Sequence, residues 1–67
     1  SAVAILSAVN AFMKLWELSF YDEGVYCTEY HYGTTRMEAR GHVVRRLKRQ
    51  VKFEVERVVE EVEGEGA

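Results

Sequence analysis

The sequence has a single cysteine, Cys27, which excludes an internal disulfide framework. The fold must therefore come from packing, and we expect a reducing compartment, with the cytoplasm as the default location. Long apolar runs are missing as well. The apolar opening over residues 2–12 is shorter than the ~20 residues that span a bilayer, and it lacks the cationic lead-in of a signal peptide. We therefore expect no membrane association.

Motifs of catalysis are also missing. The chain has no glycine-rich phosphate loop, no paired catalytic carboxylates and no cofactor fingerprint. Cys27, Glu29 and His31 stand at alternate positions, so a strand would direct a thiolate, a carboxylate and an imidazole to one face, and His42 is a further candidate ligand. A strand separates the first and last of these residues by ~13 Å, too far for one zinc ion. We therefore expect no enzyme, no metal, no cofactor and no small-molecule substrate.

What is present is enough apolar material for a folded domain. Hydrophobic residues make up 48% of the 67 residues, well above the level of disordered chains. A chain of this length buries only ~60% of its unfolded surface, so its stability is marginal unless a partner adds to it. We expect one domain over residues 1–63, followed by a flexible tail at 64–67.

The first segment has the spacing of a helix. Polar residues recur three or four positions apart, at Ser7, Asn10, Lys14 and Glu17, with apolar residues on the other sides. A helix that is apolar over most of its circumference must be covered on more than one side, and a small domain offers only one sheet face. We therefore expect a homo-oligomer, most simply a two-fold dimer, with its interface on this helix at Val3, Ile5, Leu6, Val9, Phe12 and Met13.

From near Lys14 onward, alternation of apolar and polar residues predicts a β-hairpin. We place the turn at residues 22–24, where a glycine supplies a positive φ, so that Tyr21 faces Val25. This register predicts a core face and an outer face. The core face consists of Trp16, Leu18, Phe20, Tyr26, Thr28, Tyr30 and Tyr32, and the outer face of Glu17, Ser19, Tyr21, Cys27, Glu29 and His31.

A second helix is predicted to start at Thr35, because Thr35 and Glu38 match a capping box. Its expected buried stripe is Met37, Val44 and Leu47, with Val43 and Val51 as further candidates. The segment 39–53 contains no acidic residue, whereas the segment from Glu54 onward is rich in glutamate. One continuous helix would hold those anions at its carboxyl end, where the macrodipole disfavours them, so we predict a break near Gln50.

After the break, alternating apolar and charged residues predict a third strand. The predicted fold is α+β, in the order helix, strand, strand, helix, strand (αββαβ), with a small antiparallel or mixed sheet packed against helices. A rival interpretation keeps residues 35–63 as one long helix. Apolar residues from Val44 to Val62 recur at heptad spacing, which would give a hairpin followed by a coiled coil.

The basic residues of the second helix are the candidate nucleic-acid contacts: Arg36, Arg40, Arg45, Arg46, Lys48 and Arg49. A hairpin followed by a basic helix, over about residues 14–49, is similar in outline to small DNA-binding modules such as the arm-type domains of phage integrases, which implies DNA binding. These cations wrap around the helix, however, as a solvated helix surface does. We therefore expect a self-associating interaction or structural module without catalytic activity, with a nucleic-acid-binding accessory protein as the alternative.

Overall fold

A computed structural model describes residues 13–62, which form three strands and one helix. Strand β1 spans Met13–Asp22 and β2 spans Val25–Gly33, helix α1 spans Arg36–Leu47, and strand β3 spans Phe53–Val62. The strands form one antiparallel sheet in the order β2-β1-β3, so β1 is central and β2 and β3 are the edges. No helix in this part of the chain is long and apolar enough to cross a membrane.

The core lies between α1 and one face of the sheet. Strand β1 contributes Trp16, Leu18 and Phe20, and α1 contributes Ala39 and Val43 one turn apart. All five side chains are buried, and the indole N–H of Trp16 donates to the carbonyl of the last residue of β2 at 3.0 Å. The buried polar group of the tryptophan is therefore satisfied, as a stable core requires.

The buried stripe of α1 agrees with the prediction at Val43 and Leu47 and differs from it at Met37. Ala39 and Val43 are fully buried and Leu47 packs beside them, giving a narrow i, i+4, i+8 contact. Met37, expected in the core, is 78% exposed. Two positions along a helix correspond to a rotation of ~200°, so burying Ala39 turns Met37 toward the solvent.

The predicted αββαβ order is wrong, because the described chain is ββαβ with a single helix. Met13 and Lys14, expected at the end of a first helix, are the first residues of β1. The polar residues of this segment fit the spacing of a helix, but pairing with neighbouring strands decides its structure. Strand β1 is hydrogen-bonded to β2 on one side and to β3 on the other along most of its length. The remainder of that predicted helix and five of its interface residues lie outside the described residues: Val3, Ile5, Leu6, Val9 and Phe12.

The rival interpretation, one long helix over residues 35–63, is also wrong, and the predicted break near Gln50 is confirmed. Helix α1 ends at Leu47, and Lys48 takes a left-handed conformation with φ 59° while its N–H donates to the carbonyl of Val44 at 2.7 Å. The chain becomes a strand at Phe53. Three of the valines that fitted a heptad, Val55, Val58 and Val62, belong to this strand, where β-branched side chains are favoured.

The start of α1 is confirmed at the predicted cap. The Thr35 hydroxyl accepts the N–H of Glu38 at 3.1 Å, and Thr35 has extended backbone angles. The Glu38 carboxylate reaches one residue further out than a standard capping box, accepting from the N–H and the hydroxyl of Thr34 at 3.2 and 3.1 Å. Both halves of the box therefore tie the end of β2 to the first turn of the helix.

The hairpin turn has two residues instead of the predicted three. Asp22 pairs with Val25, and Glu23 and Gly24 have φ angles of 51° and 83°, as a type I′ turn requires. A shift of one residue moves every side chain of β2 to the other face. The predicted face assignment for β2 is therefore wrong: its tyrosines lie opposite the core, and Cys27, Glu29 and His31 lie on the side of α1.

Candidate interaction surface

The side of the sheet away from α1 carries four tyrosines and is covered by nothing within residues 13–62. We call this surface the tyrosine face. Each of these tyrosines is between 51% and 55% exposed. The register places the following residues on it: Met13, Leu15, Glu17, Ser19 and Tyr21 of β1, Tyr26, Thr28, Tyr30 and Tyr32 of β2, and Val55, Arg57 and Glu60 of β3.

Cross-strand contacts between β1 and β2 organise the tyrosine face. Next to the turn, the rings of Tyr21 and Tyr26 meet edge to face with centroids 5.1 Å apart. Midway along the pair, the hydroxyls of Ser19 and Thr28 are 2.8 Å apart and hydrogen-bonded. The pairs lie directly opposite each other in the antiparallel register, so the aromatic rings are held in place by the sheet.

A charged group at the centre of the tyrosine face is neutralised within the chain. The Tyr30 hydroxyl donates to the Glu17 carboxylate at 2.8 Å, and Arg57 of β3 donates to the same carboxylate. These two hydrogen bonds lower the pKa of Glu17, and the bond to Glu17 raises the pKa of Tyr30. The face therefore presents aromatic rings around an internal ion pair, and no excess of positive charge at its centre.

The six basic residues predicted to contact nucleic acid are on α1 or just after it, on the other side of the sheet, and half of them are paired with carboxylates. Arg40 donates through two nitrogens to Glu56 of β3 and stacks over the Phe53 ring at 5.6 Å. The hydrogen bonds from Arg40 lower the pKa of Glu56, and those to Glu56 raise the pKa of Arg40. The arginines at 46 and 49 form ion pairs with Glu29 and Asp22 of the hairpin.

The remaining three cations, Arg36, Arg45 and Lys48, are exposed and form no ion pair within residues 13–62. They are on α1 and at its carboxyl-terminal cap, whereas the tyrosines are on the opposite side of the sheet. A surface that binds nucleic acid by stacking and by phosphate contacts needs cations and aromatic rings side by side. The fold separates the cations of α1 from the tyrosines, and the arginine on the tyrosine face, Arg57, is paired with Glu17.

Of the residues considered for a metal site, Cys27, Glu29 and His31 are on the side of β2 that faces α1, and His42 is on α1 itself. His31 Nε2 is 2.8 Å from the Glu29 carboxylate, and the His31 and His42 rings stack with centroids 5.1 Å apart. His42 Nε2 also hydrogen-bonds the carbonyl oxygen of Tyr32 at 3.1 Å. In the described part of the chain, no three His, Cys, Asp or Glu side chains are arranged to hold a metal ion. No pocket opens in it either.

Sequence reasoning found the tyrosines but placed three of the four in the core. The signal that corrects this is the turn: a Glu-Gly pair flanked by two strands fits a two-residue type I′ loop, with glycine in the second central position. With that loop length, alternation alone puts Tyr21 and Tyr26 on one face. The tyrosine face is thus encoded locally, in the length of one turn.

Comparison with known proteins gives no relative, since no family model, curated protein or solved structure matches this chain. The function has to be inferred from the surface itself.

Proposed function

We propose that this protein is a self-associating interaction module without catalytic activity, and that the tyrosine face is part of the contact. The observation that carries the proposal is the position of four half-exposed tyrosines on a side of the three-stranded sheet that nothing in residues 13–62 covers. Contiguous exposed apolar patches on small proteins mark interaction sites, and tyrosine is enriched at interfaces because its large ring loses little entropy when bound.

A second copy of the chain is the partner that this surface fits. An aromatic side chain offers on the order of 200 Å², so four half-exposed tyrosines present roughly 400 Å² per chain. A second copy can bury part of this area, and neighbouring residues must supply the rest of the ~1,600 Å² that a standard interface buries. The ion pair of Glu17 and Arg57 removes the like-charge repulsion that the Glu17 carboxylates at the centre of two identical faces would otherwise cause.

The size of the core points in the same direction. Within residues 13–62 the buried apolar residues number five, of which one is an alanine: Trp16, Leu18, Phe20, Ala39 and Val43. A core this small supports only marginal stability, and a small domain gains the rest from a staple or a partner. Self-association supplies that gain. A cytoplasmic location is part of the proposal and rests on the free thiol of Cys27.

The test is the mass of the protein as a function of concentration, measured by sedimentation equilibrium from low micromolar to near millimolar. We expect a monomer–dimer equilibrium. Replacing Tyr26 and Tyr30 with Thr keeps the β propensity and removes two rings, and should raise the dimer dissociation constant at least about tenfold, since an interface tyrosine contributes ~1 kcal/mol or more. Met37→Thr, which removes an exposed apolar side chain from α1, is the matched control and should leave the constant unchanged. A monomer throughout would refute the proposal.

Nucleic-acid binding is the second candidate, favoured by the exposure of Arg36, Arg45 and Lys48. It is less well supported, because the cations and the aromatic rings are on opposite sides of the sheet. Retention on DNA or RNA that falls steeply as salt is raised would identify it, since phosphate neutralisation releases counterions. Substituting Arg36 and Arg45 with Gln should then flatten the salt slope by about two units.

A further inference from the structure

The two edges of the sheet differ in how well they are protected against pairing with another strand. Strand β3 is interrupted by two register shifts against β1 and carries five charged residues among its ten. Bulges and charges of this kind are the usual means by which edge strands avoid association. Strand β2 has neither: its nine residues pair with β1 without interruption, and its one carboxylate, Glu29, turns toward α1.

The turn determines which backbone groups of β2 are available. In a two-residue hairpin the residues flanking the turn, Asp22 and Val25, form a hydrogen-bonded pair, and such pairs then alternate along the ladder. Odd-numbered residues of β2 therefore direct their N–H and C=O groups to β1. Even-numbered residues, which include all three tyrosines of β2 and Thr28, direct theirs away from the sheet.

His42 limits this free edge at one end. Its Nε2 is hydrogen-bonded to the carbonyl oxygen of Tyr32 at 3.1 Å. This contact agrees with the alternation of the ladder, which directs the backbone groups of Tyr32 away from β1. Within residues 13–62, the residues that keep both outward backbone groups for a partner are Tyr26, Thr28 and Tyr30. These three residues are symmetric about Thr28, so the free part of the edge is complementary to itself when run antiparallel.

We propose that two copies of this protein join at their β2 edges, antiparallel about a two-fold axis at Thr28, to form a continuous six-stranded sheet. The inference rests on the proposed function and specifies its geometry. In this register Tyr26 lies opposite Tyr30 of the partner subunit, which gives two cross-strand aromatic pairs on the tyrosine face. The alternative register about Glu29 is disfavoured, because it sets two carboxylates opposite each other and needs the Tyr32 carbonyl that His42 occupies.

This arrangement connects the edge to the tyrosine face. Pairing at β2 places the two tyrosine faces side by side in one sheet, since residues directly opposite in a ladder point to the same side. On the other side, Cys27 lies opposite Glu29 of the partner subunit in a pair without hydrogen bonds, where the two Cα atoms are ~4.5 Å apart. That close approach provides a signature for the register.

Hydrogen exchange of the unmodified protein, followed by NMR at several concentrations, tests the inference. We expect the outward amides of Tyr26, Thr28 and Tyr30 to exchange at least about tenfold more slowly once the dimer predominates. The inward amides of Cys27 and Glu29 should be protected at every concentration. In a mixture of labelled and unlabelled protein, an intermolecular contact between the α-protons of Cys27 and Glu29 should appear.

The outcomes separate the two proposals. A dimer whose outward amides exchange as freely as in the monomer overturns edge pairing and leaves the self-associating module intact, whereas a monomer at all concentrations overturns both. An intermolecular contact between the two Glu29 α-protons overturns the register about Thr28.

A variant provides an independent check of edge pairing. Thr28→Pro removes an N–H that the sheet does not use and fills the edge with a ring, so the dissociation constant should rise about tenfold or more. Thr28→Ala, which loses the same hydroxyl contact with Ser19 but keeps the N–H, is the matched comparison, and its dissociation constant should rise by less than that of Thr28→Pro. Equal dissociation constants for the two variants would contradict edge pairing.

Discussion

Gly33, the last residue of β2, lies against the backbone of the first turn of α1, and adding one methyl group there should destabilise the fold. A Cβ at this position would lie 2.9 Å from the backbone nitrogen of Ala39 and 3.2 Å from the carbonyl oxygen of Thr35. Those two atoms form the first hydrogen bond of α1, at 3.1 Å. The methyl group would therefore push against backbone that is held at both ends by the capping box, and neither atom can rotate away.

We expect Gly33→Ala to cost about 1–3 kcal/mol, the range for overpacking against a structure that cannot relax. Gly41→Ala is the matched control on the same helix. Its Cβ would meet the end of the Arg45 side chain, which can move, so the better helix propensity of alanine should stabilise by up to ~1 kcal/mol. Urea unfolding at one protein concentration measures both. Equal effects, or a stabilised Gly33→Ala, would refute the account of how α1 packs on the sheet.

Two further predictions concern the helix cap and the ion pair that joins α1 to β3. Thr35→Ala should cost ~1 kcal/mol in urea unfolding, and Glu38→Ala should cost less, because the first removes the N-cap acceptor itself; equal, negligible costs would mean that the cap does not stabilise the helix. The hydrogen bond from Arg40 lowers the pKa of Glu56 in the folded state below its ordinary value of 4.5. The pair therefore stabilises the fold at pH values above 4.5, and this stabilisation is lost as the pH falls through the lowered pKa. The urea midpoint should drop on acidification below pH 4.5, and Glu56→Gln should flatten that drop; an unchanged pH profile in the variant would contradict the pairing.

Local rules in the sequence predicted the parts of this fold that local interactions decide. The capping box at Thr35 and the break near Gln50 depend on neighbouring side chains and on the order of charges along the helix, and both are where they were expected. The helix predicted through Lys14 failed for the opposite reason. The residues around Lys14 fit both the period of a helix and that of a strand. Pairing with β2 and β3, which contain residues distant in sequence, selects the strand.

The candidate surface shows how one residue in a turn changes the interpretation. Sequence alternation identified the aromatic strand, but its face depends on whether the loop has two residues or three. Glu23 has φ 51°, a conformation in which glycine or asparagine is more usual, so the shorter loop was not evident. The pairing of arginines 46 and 49 with carboxylates of the hairpin was equally hidden, because it requires the helix to lie back across β2.

The central claim is that self-association takes place on the β2 side of the tyrosine face. The most direct measurement is the change in backbone amide chemical shifts on dilution, from near millimolar to low micromolar protein. The account predicts that the changes concentrate at Tyr26, Thr28 and Tyr30, while the exposed residues of α1, such as Arg36 and Arg45, keep their shifts. Spectra that do not change with concentration, or changes confined to α1, would contradict it.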